Sequence, residues 1–369
     1  MAFLSMSKDT IGLDIGKSSI IGVQLGGKSP AMVLGGCHER AIPEGLVFEG
    51  EVLDPSGLAR ELKAFAKEAH FKGKFVNLGV GNQKVIVRNI EVPDMGEAEL
   101  RGAIEFQAQD YIPIPVEEVV LDFQVVSRHA EEDGSVKQQV LLVAAQKDMI
   151  KRFLDAGRES GLRVAGIDVS AFALIRALAP PVSFVDQGAE GARALGIVNI
   201  ASSVSTVVVA LEGIPKFTRI VNSAHDRFIS ALVERQAIPA PDAFALVERV
   251  GLAGPVAPDS DTYSETTIAE VQALLGVVAE EFANELRRSL DYYQTQDYSA
   301  PIERLIVTGR GTGLLNLIPY LSEQLNMSVE VGNPLLKIAH NRSGIADNVL
   351  AAIAPRLAIA VGLALEEVA

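Results

Sequence analysis

The chain has 369 residues, 48% of them hydrophobic and 22% charged, so two domains with substantial cores are within reach. Its net charge of −14 argues against a nucleic-acid partner and against adsorption to anionic lipid, since both need surplus Lys and Arg. The lone cysteine, Cys37, excludes a disulfide framework and a cysteine zinc site; with no signal-peptide core in MAFLSMSKDT and no run of ~18 apolar residues, a cytoplasmic chain is expected.

Strands open the chain: TIGLDIG, SSIIGVQLG and PAMVLGG, separated by turn residues. Asp54 is placed to cap a helix through PSGLARELKAFAKEAH, where Leu58, Leu62 and Phe65 recur at helical spacing, and FVNLGVG follows as a buried strand. An inserted unit comes next: strand KVIVRNIEVP, helix GEAELRGAIEFQAQDYI stopping before Pro113 and Pro115, then strands VVLDFQVVSR and KQQVLLVAAQ. The helix DMIKRFLDAGRESG, the strand LRVAGIDV and the helix SAFALIRALA return to an α/β alternation, up to a break at Pro180 and Pro181.

The second half repeats the first. In ALGIVNIASSVSTVVVALEGIPKFTRIV three strands recur, and GLDIGKS at 12–18 falls on IVNIASS at 197–203. Asp14 meets Asn199, Gly16 meets Ala201 and Ser18 meets Ser203; two unrelated β-meanders are the plainer alternative. Helices HDRFISALVERQ and DAFALVERV, a long helix from about Ser264 to Gln294, and the strand-turn-helix RLIVTGRGTGLLNLIPYLSEQL follow, then NMSVEV and a closing helix APRLAIAVGLALEE. Each half therefore ends a strand in a tight turn whose N–H groups can form an anion-binding nest. A facing pair would hold a polyphosphate, with Asp14 near a hydrated Mg²⁺ and Lys17 on a phosphate oxygen. Gly309, Gly311 and Gly313 would let backbone approach a nucleoside, although a glycine-rich βα turn is commonly no more than a turn.

This order of turns resembles the actin, sugar-kinase and heat-shock-chaperone superfamily of ATP-binding proteins. Within it, EFQAQDYIPIPVEEVVLDFQVV, VLLVAAQKDMI, NELRRSLDYYQTQ, NPLLKIA and APRLAIAVGLAL resemble the type IV pilus assembly protein PilM family, from about Thr10 to Glu366. The resemblance implies an α/β, actin-like fold of duplicated ribonuclease H-like domains with an inserted strand-helix-strand-strand α+β subdomain. The implied divisions are 8–83 and 148–180 for domain I, 84–147 for the partner-binding insert, 190–353 for domain II with a helical subdomain at about 225–295, and 354–369 for a C-terminal helix returning to domain I.

It also implies a cytoplasmic scaffold of the pilus machinery that binds ATP and Mg²⁺ and holds the N-terminal cytoplasmic tail of the inner-membrane protein PilN, meeting other inner-membrane pilus proteins and the membrane only through partners. By position, Asp14, Gly16, Lys17, Ser18 and Ser19 would form the first phosphate turn and Asn199, Ala201, Ser202 and Ser203 the second. Gly309, Arg310 and Gly311 would meet the nucleoside, flanked by Glu285 and Arg288 of the long helix, a pair that otherwise reads as an exposed salt bridge. The partner groove is expected between the first subdomain and the insert, drawing on 104–116, with Ile104, Glu105, Tyr111, Ile112 and Pro113, together with the neighbouring first-domain surface. Asn199 cannot act as a base, so hydrolysis is expected to be weak or absent, with Asp168 at another strand end the remaining catalytic candidate. A small-molecule kinase and an FtsA-like filament former remain the alternatives; the first lacks an evident polyol-binding cluster and the second a basic tail helix.

Overall fold

The computed structural model describes residues 10–27, 31–131, 134–180, 193–260, 263–296 and 298–365. Residues 181–192, after the expected break, and the outermost residues of the expected first and last segments lie outside these.

The first body begins with a meander, β1 (Ile11–Ile15), β2 (Ser19–Gly26) and β3 (Val33–Ala41), and a short hairpin of β4 (Val47–Phe48) and β5 (Glu51–Val52). Helix α1 (Pro55–Ala69) starts where Asp54 accepts a hydrogen bond from the Gly57 N–H, and leads to β6 (Phe75–Val80). After the insert come α3 (Lys147–Ser160), β10 (Arg163–Val169) and α4 (Ser170–Leu178). The insert itself is β7 (Val85–Pro93), α2 (Glu97–Tyr111), β8 (Val119–Ala130) and β9 (Val136–Gln146), a three-stranded antiparallel sheet with β9 in the middle. Leu100, Ile104 and Ala108 of α2 pack on Val140, Leu142 and Ala144 of β9, giving the insert its own core.

The second body carries β11 (Ala194–Ile200), β12 (Ser205–Leu211) and β13 (Ile214–Val221), helices α5 (His225–Gln236), α6 (Ala240–Arg249) and α7 (Glu265–Gln294), and then β14 (Ile302–Thr308), α8 (Leu317–Leu325) and β15 (Val329–Val331). Ser264 caps α7 by accepting from the Thr267 N–H. Chain order ends with β16 (His340–Asn341), α9 (Asp347–Ile353) and α10 (Ala358–Ala364).

The duplication is explicit in the sheets. One runs β10-β6-β1-β2-β3-β16 and the other β13-β12-β11-β14-β15, each an antiparallel meander continued by parallel strands. Even the register repeats: Asp14 pairs with Ile21 as Asn199 pairs with Thr206, and Ile15 with Ile20 as Ile200 with Ser205.

Two expected helices differ from what forms. The turn after β14 continues as a 3-10 turn (Arg310–Gly313), and α8 starts only after Asn316 at φ 67°. The closing helix opens as a 3-10 turn (Ala354–Leu357) with Pro355 in it and becomes α10 only at Ala358, and the short α9 precedes it. Among the described residues, Asp347–Ala364 is long and apolar enough to cross a membrane, at mean hydropathy 1.5, but half of it is buried. Its apolar side chains are spent on packing: α10 lies against α4 and β1 with Ala358, Ala360 and Leu363 in the interior. The insert is also tied to the second body, because Asn89 of β7 donates to the Pro215 and Lys216 carbonyls at 3.1 and 3.2 Å.

Candidate functional site

Both meanders close with the same turn. The Gly16 N–H donates to the Ser19 carbonyl at 2.9 Å and the Ala201 N–H to the Val204 carbonyl at 3.2 Å. The two turns face each other across a cleft lined by Asp14, Gly16, Lys17 and Ser19 on one side and Asn199, Ala201, Ser202 and Ser203 on the other. A methyl on Gly16 would meet nothing closer than 3.5 Å and Gly16 has no positive φ, which explains why the second turn carries alanine without distortion. Gly309 is different. Its φ is 88°, and a Cβ there would sit 2.6 Å from the Asn199 amide oxygen, so only glycine lets this third turn close on the cleft. The Gly311 backbone packs as tightly on Ile200.

Cations of the cleft are held by partners. Lys17 Nζ lies 2.6 Å from Asp226, which sits in the first turn of α5. Arg310 donates to Glu39 of β3 at 2.9 Å, and Arg356 reaches the other Glu39 oxygen at 3.2 Å. Arg310 thus joins the third turn to the edge of the first meander while lining the cleft. Arg356 is brought there because the Gly309 N–H donates to the Pro355 carbonyl at 3.0 Å.

Asp14 is the only carboxylate among the described lining residues. Burial, reinforced by the nearby Glu39 charge, raises its pKa from 3.8 to about 6. The folded chain therefore binds this proton more tightly than the unfolded chain, and the cost of a charged Asp14 is complete above about 6 and absent near its ordinary value. Asp14→Asn in metal-free buffer is expected to add about 2 kcal/mol of stability at pH 7.5 and almost none at pH 4, read as urea midpoints. An equal gain at both pH values would contradict the buried charge. Burial and then the Arg310 charge push His225 in the opposite direction, down to about 4, so its imidazole is neutral; its Nδ1 has no partner.

Several expected residues lie elsewhere. Asp168 lies at the end of β10 as expected, but its carboxylate pairs with Arg176 and accepts the Val169 N–H at 2.7 Å, and it is not among the cleft-lining residues. It lines a second depression of about 350 Å³ between the insert and the first body. Glu285 pairs with both Arg288 and Arg219 on the exposed face of α7, and neither Glu285 nor Arg288 is among the cleft-lining residues. Of the five partner residues, Ile104 and Ile112 are 2% and 4% exposed inside the insert core, Tyr111 packs at its margin, and Glu105 and Pro113 face solvent.

The groove between insert and first body is lined by Val120 and Phe123 of β8, Val143 of β9, Ile167 of β10, and Phe172 and Arg176 of α4. The resemblance pointed to the 104–116 segment; the strands that line this groove carry the alternating pattern VVLDFQVV.

Elsewhere, Glu91, His129 and Glu131 bring ligand atoms within 4.8 Å of one another, but Lys137 already bridges both glutamates, at 2.7 and 3.4 Å. That cluster is a salt-bridge network.

Two bodies with the same meander-plus-parallel sheet, meeting through paired turns over a cleft, define an actin-like protein. The MreB5 structure of Spiroplasma citri bound to ADP aligns at TM-score 0.55 and 10% identity over 96% of this chain and 95% of that one. The ethanolamine utilization protein EutJ of Carboxydothermus hydrogenoformans aligns at 0.53 and 13%, over 97% and 89%. Greater similarity is found to the structure of a PilM-PilN type IV pilus biogenesis complex: TM-score 0.80, 28% identity, 98% of both chains. The model of the type IV pilus assembly protein PilM family matches residues 12–237 and 265–368, and the chain belongs to that family.

Proposed function

We propose that this chain is a cytoplasmic, actin-like scaffold of the type IV pilus machinery that holds the N-terminal cytoplasmic tail of PilN and reaches the inner membrane, and other pilus proteins there, through such partners. The observation that carries this reading is the 98% mutual coverage with the PilM of a PilM-PilN complex. We place the peptide in the groove between the insert and the first body. Its apolar walls and its one ion pair, Asp168 with Arg176, suit a short apolar segment with a polar anchor. Val120 is 47% exposed on that groove, so Val120→Glu should leave folding intact. It is expected to weaken binding of a synthetic PilN-tail peptide by about tenfold or more, while Glu105→Lys leaves binding unchanged. Unchanged binding by Val120→Glu would move the peptide site elsewhere.

The cleft is proposed to take a nucleotide with Mg²⁺. The fit rests on the two opposed turns, the basic side chains Lys17, Arg310 and Arg356, and a single acid at a strand end. Asp14, with the Asn199 amide oxygen, would hold a hydrated Mg²⁺, which neutralises phosphate charge when bound. Among the described lining residues Asp14 is the one carboxylate able to act as a base, so the nucleotide serves to bias the relation of the two bodies, with slow or no turnover. Calorimetry with Mg-ATP and a phosphate-release assay test this together. No binding at millimolar ATP would remove the reading; turnover near one per second would show a competent active site.

A further inference from the structure

The residues best placed to hold an anion are already engaged with one another. Lys17 is 2.6 Å from Asp226, and the Ser18 and Ser202 hydroxyls, one from each turn, are 2.7 Å apart. Asp226 is not a loose surface carboxylate. The backbone N–H groups of His225 and Asp226 donate to the Ala201 and Ser202 carbonyls at 3.1 and 2.9 Å, so the start of α5 and the second turn move as one piece. The ion pair therefore runs from the first body to the second. A third tie, Glu39 with Arg310 and Arg356, closes the same cleft. The space left between the turns is about 90 Å³, well under the ~300 Å³ at which small-molecule sites begin.

We propose that Asp226 is an internal substitute for the ligand's phosphate. Paired with Lys17, it holds the two turns together, and an incoming polyphosphate has to displace it. The proposal takes its ligand class from the nucleotide reading above. Its physical content is competition. Lys17 carries a single positive charge that Asp226 already balances, and a phosphate approaching Lys17 is repelled by a carboxylate fixed beside it. Opening the cleft breaks the pair, so part of the ligand's binding free energy is spent on separating the bodies. Removing the Asp226 charge should release Lys17, weaken the tie and favour the ligand.

The test is calorimetry of the full chain and of Asp226→Asn with two probes, inorganic tripolyphosphate and Mg-ADP, after thermal melts establish that the variant is folded. Because Asp226 also sits favourably in the first turn of α5, Asp226→Ser is run in parallel; a serine there keeps a polar helix start. Both variants are expected to bind each probe about tenfold more tightly than the native chain. Adding Lys17→Met is expected to erase that gain. Equal or weaker binding by both variants, with the native chain binding normally, overturns the latch and leaves the nucleotide reading standing. Tighter tripolyphosphate binding with no Mg-ADP binding by any chain supports the latch and removes the nucleotide reading. No binding of either probe to any chain overturns both.

Discussion

Gly362→Val is expected to leave no stably folded protein at 25 °C. A Cβ at 362 would lie 1.9 Å from the Ala173 carbonyl oxygen and 2.4 Å from its carbon, and both are backbone atoms that no rotamer change can move. The opposite face of α10 is as tight, since a Cβ on Gly12 of β1 would lie 2.0 Å from the Ala360 carbonyl oxygen. Helix α10 is thus wedged between α4 and β1 by glycine on one side of each contact, and it carries Ala358, Val361 and Leu363 into two apolar clusters. Relieving the clash means withdrawing α10 from both. A loss of more than about 4 kcal/mol follows, a large part of the ~5–15 kcal/mol that stabilises a typical domain. Urea unfolding checks it, with Gly276→Ala as the control. Gly276 lies within α7 with nothing near its Cβ position, and alanine there should stabilise by roughly 0.5–1 kcal/mol. A native midpoint for Gly362→Val would mean that α10 does not pack where it is placed.

Gln138→Met is expected to do the reverse and stabilise the chain by about 2 kcal/mol. Gln138 is fully buried on β9, and neither its amide oxygen nor its nitrogen has a hydrogen-bond partner. By strand alternation it shares the face of Val140, Leu142 and Ala144, which form the insert core against α2. Its amide is therefore stripped of water with nothing in return, and a thioether of similar volume fills the same space without that cost. Urea midpoints with unchanged slope would register the gain. A decrease in stability would mean that the amide has partners that matter to the fold.

Much of this architecture is legible in residue order. The repeated meander and the alignment of Asp14 with Asn199 follow from short-range signals, glycine turns and apolar runs, and the strand register bears the alignment out. The capped starts of α1 and α7 are equally local, each resting on a side chain that accepts from an N–H three residues on. Asp168 shows where such reasoning stops. Its place at the end of a strand was readable; its direction was decided by Arg176 on the following helix and by the position of β10 at the sheet edge beside the groove.

The same division separates the two halves of the site. Turn geometry belongs to the sequence, because a β-turn is closed by hydrogen bonds within four residues and each residue's allowed φ and ψ limit it directly. What faces the turns belongs to the tertiary structure. Lys17 with Asp226 and Arg310 with Glu39 are partners separated by more than two hundred residues, brought together only by the docking of the two bodies. Composition and periodicity carry no term for such pairs, since a charged residue at a turn looks the same whether it awaits a ligand or already holds a carboxylate. The sequence thus pointed to an actin-like chain with two aligned turns; only the folded molecule showed those turns already tied to each other, and a groove between the insert and the first body lined by the strands behind α2.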